Sequence, residues 1–112
     1  MLLPVRAGSL DRRIAILEKV VTQNDDGEEI AHWFKLATVW AFVQQQSGRE
    51  FFAAQQTLED RRILFRIRWR PDVTVLHRIA YRGEIFDIQE VRELGRQDGL
   101  DLYARPAPAG QQ

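Results

Sequence analysis

Large apolar side chains and arginines alternate through residues 61–70, which read RRILFRIRWR. Successive side chains of a β-strand point to opposite faces, so this spacing predicts a strand with one apolar face and one basic face. The apolar face comprises Ile63, Phe65, Ile67 and Trp69. The basic face, called the arginine ladder below, comprises Arg62, Arg66, Arg68 and Arg70. Its guanidinium groups would lie roughly 7 Å apart, which indicates an anionic partner, either nucleic acid or an acidic protein.

The composition predicts one soluble domain, because 112 residues with 45% hydrophobic and 29% charged side chains suffice for a single core. The 16 basic and 16 acidic residues cancel, so any DNA contact is expected from a local patch. All basic residues except Lys19 and Lys35 are arginine; this suits bidentate pairing with carboxylates or phosphates, and a GC-rich genome explains it equally well. The lack of cysteine excludes disulfides and thiolate metal sites.

The chain ends carry no periodic pattern, so we expect flexible arms at 1–8 and 105–112 around a single domain at 9–104. The first apolar segment is too short for a signal peptide, and no run is long enough to span a membrane, so cytoplasmic synthesis is expected. Within the domain, residues 12–21 and 30–36 alternate around a polar Asp-Gly turn and predict a hairpin. Residues 38–44 are apolar on both faces and predict a central strand.

The period then changes at residue 47. Ser47 and Glu50 fit a helix capping box, and Phe51, Ala54 and Leu58 share one helical face, which predicts a helix over 48–60. Further on, Arg82-Gly83 predicts a tight hairpin, and residues 100–103 a short last strand. The predicted fold is mainly β: a small antiparallel barrel or sandwich of six or seven strands with one inserted α-helix (about 48–60).

Catalytic constellations are not evident in the sequence. Ser9 and Ser47 lie at a predicted fold edge and a helix cap, so no nucleophile triad can be assembled. His32 and His77 lack metal-ligand spacing, and no glycine-rich phosphate loop occurs. The acidic residues Asp25, Asp26, Glu28 and Glu29 lack the alternation of a calcium loop and are expected at a solvated hairpin tip. We therefore expect no enzyme, no metal and no cofactor.

The order of short motifs is more specific than any one of them. From about residue 8 to residue 103 the motifs are Leu10–Ile16 (LDRRIAI), Asp26-Gly27, Trp33, Val39–Ala41 (VWA), Gly48–Glu50 (GRE) with Ala53, Ile67–Asp72 (IRWRPD), Tyr81–Gly83 (YRG) and Phe86–Ile88 (FDI). In this order and spacing the chain resembles the head-tail joining proteins of tailed bacteriophages, also called head closure, head completion or stopper proteins. Members often have a disordered loop after the central strand, where this sequence predicts a helix.

The resemblance implies a β-barrel protomer that assembles with copies of itself into a ring, commonly a dodecamer. The ring lies between portal and adaptor proteins on the head side and tail terminator or tail tube proteins on the other side. It closes the DNA channel and offers the tail a docking surface, with contact to packaged double-stranded DNA and none to a membrane. Such proteins occur in phages, prophages and gene transfer agents, first in the bacterial host cytoplasm and then in the neck of the particle.

Several residues are candidates for a ring interface or a channel-facing surface. In one interpretation the arginine ladder of one subunit pairs with the acidic residues 25–29 of the next. In a second, Arg66, Arg68 and Arg70 line the channel and contact DNA phosphates. In a third, the arginines form a solvated strand face. Phe51 and Phe52 cannot both face the core of a helix, so we expect Phe52 to pack against a neighbouring subunit or the adaptor ring. An alternative function is a small barrel that binds nucleic acid through its arginine-rich strand.

Overall fold

A computed structural model describes residues 7–45 and 62–108 of the chain. Six antiparallel strands close into a barrel in the order β1-β2-β3-β6-β5-β4. The strands are β1 (Arg12–Gln23), β2 (Glu29–Gln45), β3 (Ile63–Ile67), β4 (Arg78–Tyr81), β5 (Glu84–Leu94) and β6 (Gly99–Pro106), preceded by a 3-10 turn at Ala7–Ser9. The predicted mainly β barrel is confirmed. The helix predicted over 48–60, and Phe52 with it, lies outside the described residues.

Alternation along the strands places one apolar row inside the barrel. Phe65 on β3 is fully buried, and its ring lies 5.7 Å from that of Tyr81 and 5.5 Å from that of Phe86. The other large, fully buried side chains are Phe86, Ile14, Ile16, Ile63, Ile67, Ile79 and Leu102. A six-stranded barrel leaves room for side chains only, so the interior is a packed core.

The predicted Arg82-Gly83 turn is confirmed between β4 and β5. Arg82 and Gly83 both have positive φ, 52° and 79°, as a two-residue turn requires when its twist matches that of the strands. Glycine adopts this conformation without a steric cost, which explains its place at the second position. The turn aligns Tyr81 with Glu84 and so fixes the β4–β5 register.

Strand β2 is one element of 17 residues, where the sequence predicted two strands. A β-bulge in β2 at Leu36, opposite the step from Ile16 to Leu17 of β1, absorbs the change of phase in the apolar pattern. Outside the barrel wall, residues 18–23 of β1 pair only with residues 29–34 of β2 in the described structure. This two-stranded ribbon with its connecting turn, residues 18–34, is called the arm.

Strand β6 continues past residue 104, where the domain was predicted to end. Arg105 and Pro106 pair with β5, and the Ala107 amide donates a hydrogen bond of 2.9 Å to the Ile85 carbonyl. The pairing partner lies about twenty residues away along the chain, so the low-complexity composition of this segment gave no sign of it. The first residues of the tail predicted at 105–112 are therefore part of the barrel.

Candidate functional site

The arginine ladder is shorter than its sequence pattern predicts. Strand β3 ends at Ile67, and the chain leaves the sheet before the turn that begins at Pro71. Arg66 is consequently the one member inside the strand; Arg62 precedes it, while Arg68 and Arg70 follow it. The prediction of four arginines on one strand face is wrong, because only residues 63–67 pair with β2 and β6 and Arg66 alone of the four lies among them.

Arg66 is committed to a carboxylate of its own subunit. Its Nε and Nη2 donate hydrogen bonds of 2.7 and 3.0 Å to Oδ1 and Oδ2 of Asp101, the residue directly opposite on β6. The Asp101 side chain is only 6% exposed and that of Arg66 24%. Hydrogen bonding to Asp101 raises the pKa of Arg66 above its ordinary value. The Arg66 guanidinium is therefore held in its charged form, and the bidentate contact joins β3 to β6.

Arg70 also has a partner within the chain. Its Nε and Nη2 donate hydrogen bonds of 3.0 and 2.9 Å to the two carboxylate oxygens of Asp72. This contact lowers the pKa of Asp72 and raises that of Arg70, the hydrogen bonds being the main cause. Both side chains lie near the surface, so the pair shapes the chain after β3 and adds little stability.

Arg62 belongs to a loose group on the outer face of β5 and β6. Its Nη2 lies 3.6 Å from a carboxylate oxygen of Glu90, which also forms an ion pair with Arg92. The guanidinium carbons of Arg62 and Arg92 lie 5.0 and 5.3 Å from the ring centre of Tyr103. These groups are partly exposed, so each contact is weak.

Arg68 is exposed and has no ion-pair partner in the described part of the chain. It lines an open groove of about 560 Å³ with Gly8, Leu10, Asp11 and Trp40. The Trp40 ring is 49% exposed, and the guanidinium carbon of Arg13 lies 4.7 Å from its centre. Residues 38–44 were predicted to form a central strand apolar on both faces; β2 does lie between β1 and β3, but alternation places Ala41 in the core and leaves Trp40 exposed on the outer face.

The acidic residues Asp25, Asp26, Glu28 and Glu29 form the exposed tip of the arm, as predicted. The side chain of Asn24 orders this tip: its Oδ1 accepts hydrogen bonds of 2.9 Å from the amides of both Asp26 and Glu28. Gly27 supplies a positive φ of 84° at the turn. Within the described residues none of the four carboxylates has an ion pair, so the tip concentrates negative charge on a defined turn.

Apolar side chains are exposed along the arm, and the sequence analysis did not predict them as part of a site. Val20, Val21, Ile30 and Phe34 are all exposed, Phe34 to 55%. Val20 pairs with His32 and therefore lies on the same face of the ribbon as His32. Ile30 and Phe34, two residues before and after His32, lie on this face as well. Two further exposed apolar residues, Val75 and Leu76, precede β4 near the base of the arm, since Arg78 pairs with Leu17.

A comparison with protein families identifies the family of this chain. The model of the phage head completion protein family matches residues 5–105. The chain belongs to that family. The match covers the whole barrel and the arm, so the resemblance stated from the motifs is confirmed. No curated protein matches this head completion protein.

Solved structures share the fold of this head completion protein. A Shigella flexneri 2a protein solved in solution has a TM-score of 0.72 and 22% identity, with 96% of this chain and 100% of that chain covered. A chain from the virion of a native gene transfer agent particle has a TM-score of 0.61 and 24% identity, with 88% and 96% covered. At these identities the likeness concerns the fold.

Other types of site are not seen in the described residues of this head completion protein. Residues 7–45 and 62–108 contain no cluster of three or more histidine, aspartate or glutamate side chains able to hold a metal ion. Within the same ranges, no helix is long and apolar enough to cross a membrane. The features that remain as a candidate site are the acidic arm tip, the apolar arm and the groove at Trp40.

Proposed function

We propose that this head completion protein forms a ring in the neck of a tailed phage or phage-like particle, between the portal-adaptor complex and the tail. The ring closes the DNA channel and presents the surface on which the tail docks. The observation that carries this proposal is the family match over residues 5–105, which spans every strand of the barrel. The assignment is a structural role and not a catalytic one.

The arm supports an assembly role. The arm continues two strands of the barrel as a paired ribbon and carries exposed apolar side chains where it leaves the barrel. Exposed apolar surface of this kind marks interfaces with other proteins. A ring subunit needs such surface, because it contacts two neighbours and a further ring above and below.

The pairing of the arginines weighs against the alternative, a barrel that binds nucleic acid. Arg66 and Arg70 each donate two hydrogen bonds to carboxylates of the same chain. A guanidinium engaged in this way is not available to a phosphate unless the ion pair breaks. Of the predicted ladder, Arg68 and the loosely paired Arg62 are left exposed for any contact with packaged double-stranded DNA.

Deletion of the gene tests the proposed function directly. Particles from the deletion strain are examined by cryo-electron microscopy, with the wild-type gene supplied in trans as the control. We expect DNA-filled or leaking heads without tails, and restored tailed particles on complementation. Tailed particles of normal appearance in the deletion strain would contradict the proposal. Salt-sensitive binding of the purified protein to short single-stranded DNA would then favour the nucleic-acid-binding alternative.

The order of assembly also follows from the proposal. We expect synthesis in the cytoplasm of the bacterial host and recruitment to the head once the portal and adaptor rings are in place. The purified chain then exists as a monomer at low concentration, and the adaptor ring templates the closed ring. Neighbouring subunits, head-side rings and tail-side rings are the proposed partners.

A further inference from the structure

We propose that the acidic tip of the arm of one subunit binds in the groove at Trp40 and Arg68 of the next subunit. This contact rests on the proposed function, because it is one repeating interface of the proposed ring. It identifies which of the predicted arginines meets the acidic residues 25–29. It assigns that role to Arg68 with Arg13, and not to Arg66 or Arg70.

The tip supplies the anionic half of the contact. Four carboxylates lie within five consecutive residues, all exposed and without ion pairs among the described residues. The hydrogen bonds from the Asp26 and Glu28 amides to Asn24 hold the turn in one conformation. A preformed turn loses little conformational entropy when it binds, so its charges contribute more fully to affinity.

The groove supplies the cationic half. Arg68 and Trp40 both line the groove, the guanidinium of Arg13 lies over the Trp40 ring, and neither arginine has a carboxylate partner in the described structure. Asp11 also lines the groove. Its carboxylate lies 4.0 Å from Nε of Arg12, and this arginine partly offsets the negative charge of Asp11. Two arginines beside an exposed aromatic ring match a short acidic turn. The guanidinium groups can bind the carboxylates in bidentate fashion, and the Trp40 ring can cover the apolar atoms of the turn.

The tip of the arm cannot reach the groove of its own subunit. Arg13 and Gln23 are joined by a continuous strand, and ten residues of strand span roughly 33 Å. Because the arm is a paired ribbon, it cannot fold back over that distance without losing its hydrogen bonds. The complementary surfaces therefore meet only between copies. Two different patches that join head to tail form a heterologous interface, which closes into a ring when the rotation allows.

Engineered disulfides test the contact in assembled particles. The natural chain has no cysteine, so the pair Asp26→Cys with Arg68→Cys introduces the only thiols. We expect oxidation to give a ladder of dimers, trimers and higher species on non-reducing gels, because each subunit has a tip and a groove. The control pair Asp26→Cys with Arg82→Cys moves the second thiol to the exposed β4–β5 turn. It is expected to give at least tenfold less crosslinking.

The outcomes separate this contact from the proposed function. Tailless particles on gene deletion, combined with no 26–68 crosslink or with dimers alone, would overturn the contact and leave the head-closure role intact. A crosslink from the thiol introduced at the arm tip to a particle protein of different size would also overturn it, since the tip would then bind another ring. Normal tailed particles on gene deletion would overturn the head-closure role itself.

Charge reversal gives an independent check without new thiols. Arg68→Glu places a carboxylate opposite the acidic tip, and we expect it to lower the yield of tailed particles at least tenfold with unchanged melting of the purified protein. Adding Asp26→Arg in the same chain reverses both sides and is expected to restore most of the yield. Equal yields for the single and the double variant would contradict the contact.

Discussion

The ion pair between Arg66 and Asp101 offers a direct test of how this barrel is stabilised. Arg66→Met removes the guanidinium and leaves a carboxylate whose side chain is 6% exposed without its two hydrogen bonds. Loss of one partner of a buried pair costs about 3–5 kcal/mol. Because Arg66 is itself 24% exposed, water reaches the vacated space, and we expect a cost of about 2–3 kcal/mol.

The reciprocal variant is expected to cost less. In Asp101→Leu the guanidinium of Arg66 can turn toward water, so we expect a loss of about 1–2 kcal/mol. In the double variant no buried charge remains, and apolar residues of similar volume often replace such a pair with little change. We expect that variant to lie within about 1 kcal/mol of the natural protein, so the two effects are coupled by at least about 2 kcal/mol.

Urea unfolding followed by tryptophan fluorescence measures these differences as free energies of unfolding. For a domain of this size, 2–3 kcal/mol corresponds to a melting temperature lowered by roughly 8–12 °C. Arg68→Met is the matched control, since this arginine is exposed and has no described ion pair, and it is expected to change stability by less than about 0.5 kcal/mol. Additive effects of the two single variants, or an Arg66→Met variant as stable as the control, would refute the reasoning.

Three further predictions follow from the core, the turns and the chain after β3. Phe65→Ala removes a fully buried ring and is expected to cost about 3–5 kcal/mol in calorimetry; a loss under about 1 kcal/mol would mean that the core is not packed around it. Gly83→Ala, at φ 79°, should lower the free energy of unfolding by about 1 kcal/mol. Gly8→Ala is the control and should be neutral, because a Cβ there meets nothing within 4 Å and its φ is not positive. Equal effects of the two substitutions would contradict the turn geometry. Since the pKa of Asp72 is lowered in the folded state, its ion pair stabilises the fold above the ordinary aspartate pKa near 3.8 and that gain is lost as pH falls through the depressed value. Because both side chains lie near the surface, Asp72→Asn should flatten the acid limb of stability against pH by less than about 1 kcal/mol, and a steeper limb would count against the pair.

Local alternation was enough to predict most of the barrel. Both hairpins follow from apolar periodicity around Asp-Gly and Arg-Gly turns, because these turns fix register within a few residues. The joining of β2 into one strand was not predictable in the same way. The bulge at Leu36 of β2 shifts the phase of the apolar pattern along that strand, so one continuous strand resembles two separate segments in the sequence.

The partners of the arginines could not be predicted from their own segment. Asp101 is 35 residues from Arg66 in the chain, and it meets Arg66 only because β3 and β6 are neighbours in the closed barrel. One signal was present, since Asp101 stands between the inward residues Leu100 and Leu102 and must therefore face outward. Strand order decides which outward arginine it meets, and strand order is a non-local property.

The length of β2 gives the arm a mechanical character. One strand of 17 residues, roughly 55 Å long, forms both the arm and part of the barrel wall, with β1 hydrogen-bonded along most of it. A flexible tether of that length would limit only the distance between two bodies. A stiff ribbon transmits torque, so a force at its tip turns the barrel as well as pulling it. The arm thus acts as a lever: holding the tip sets the tilt of the barrel wall, which begins roughly 20 Å away.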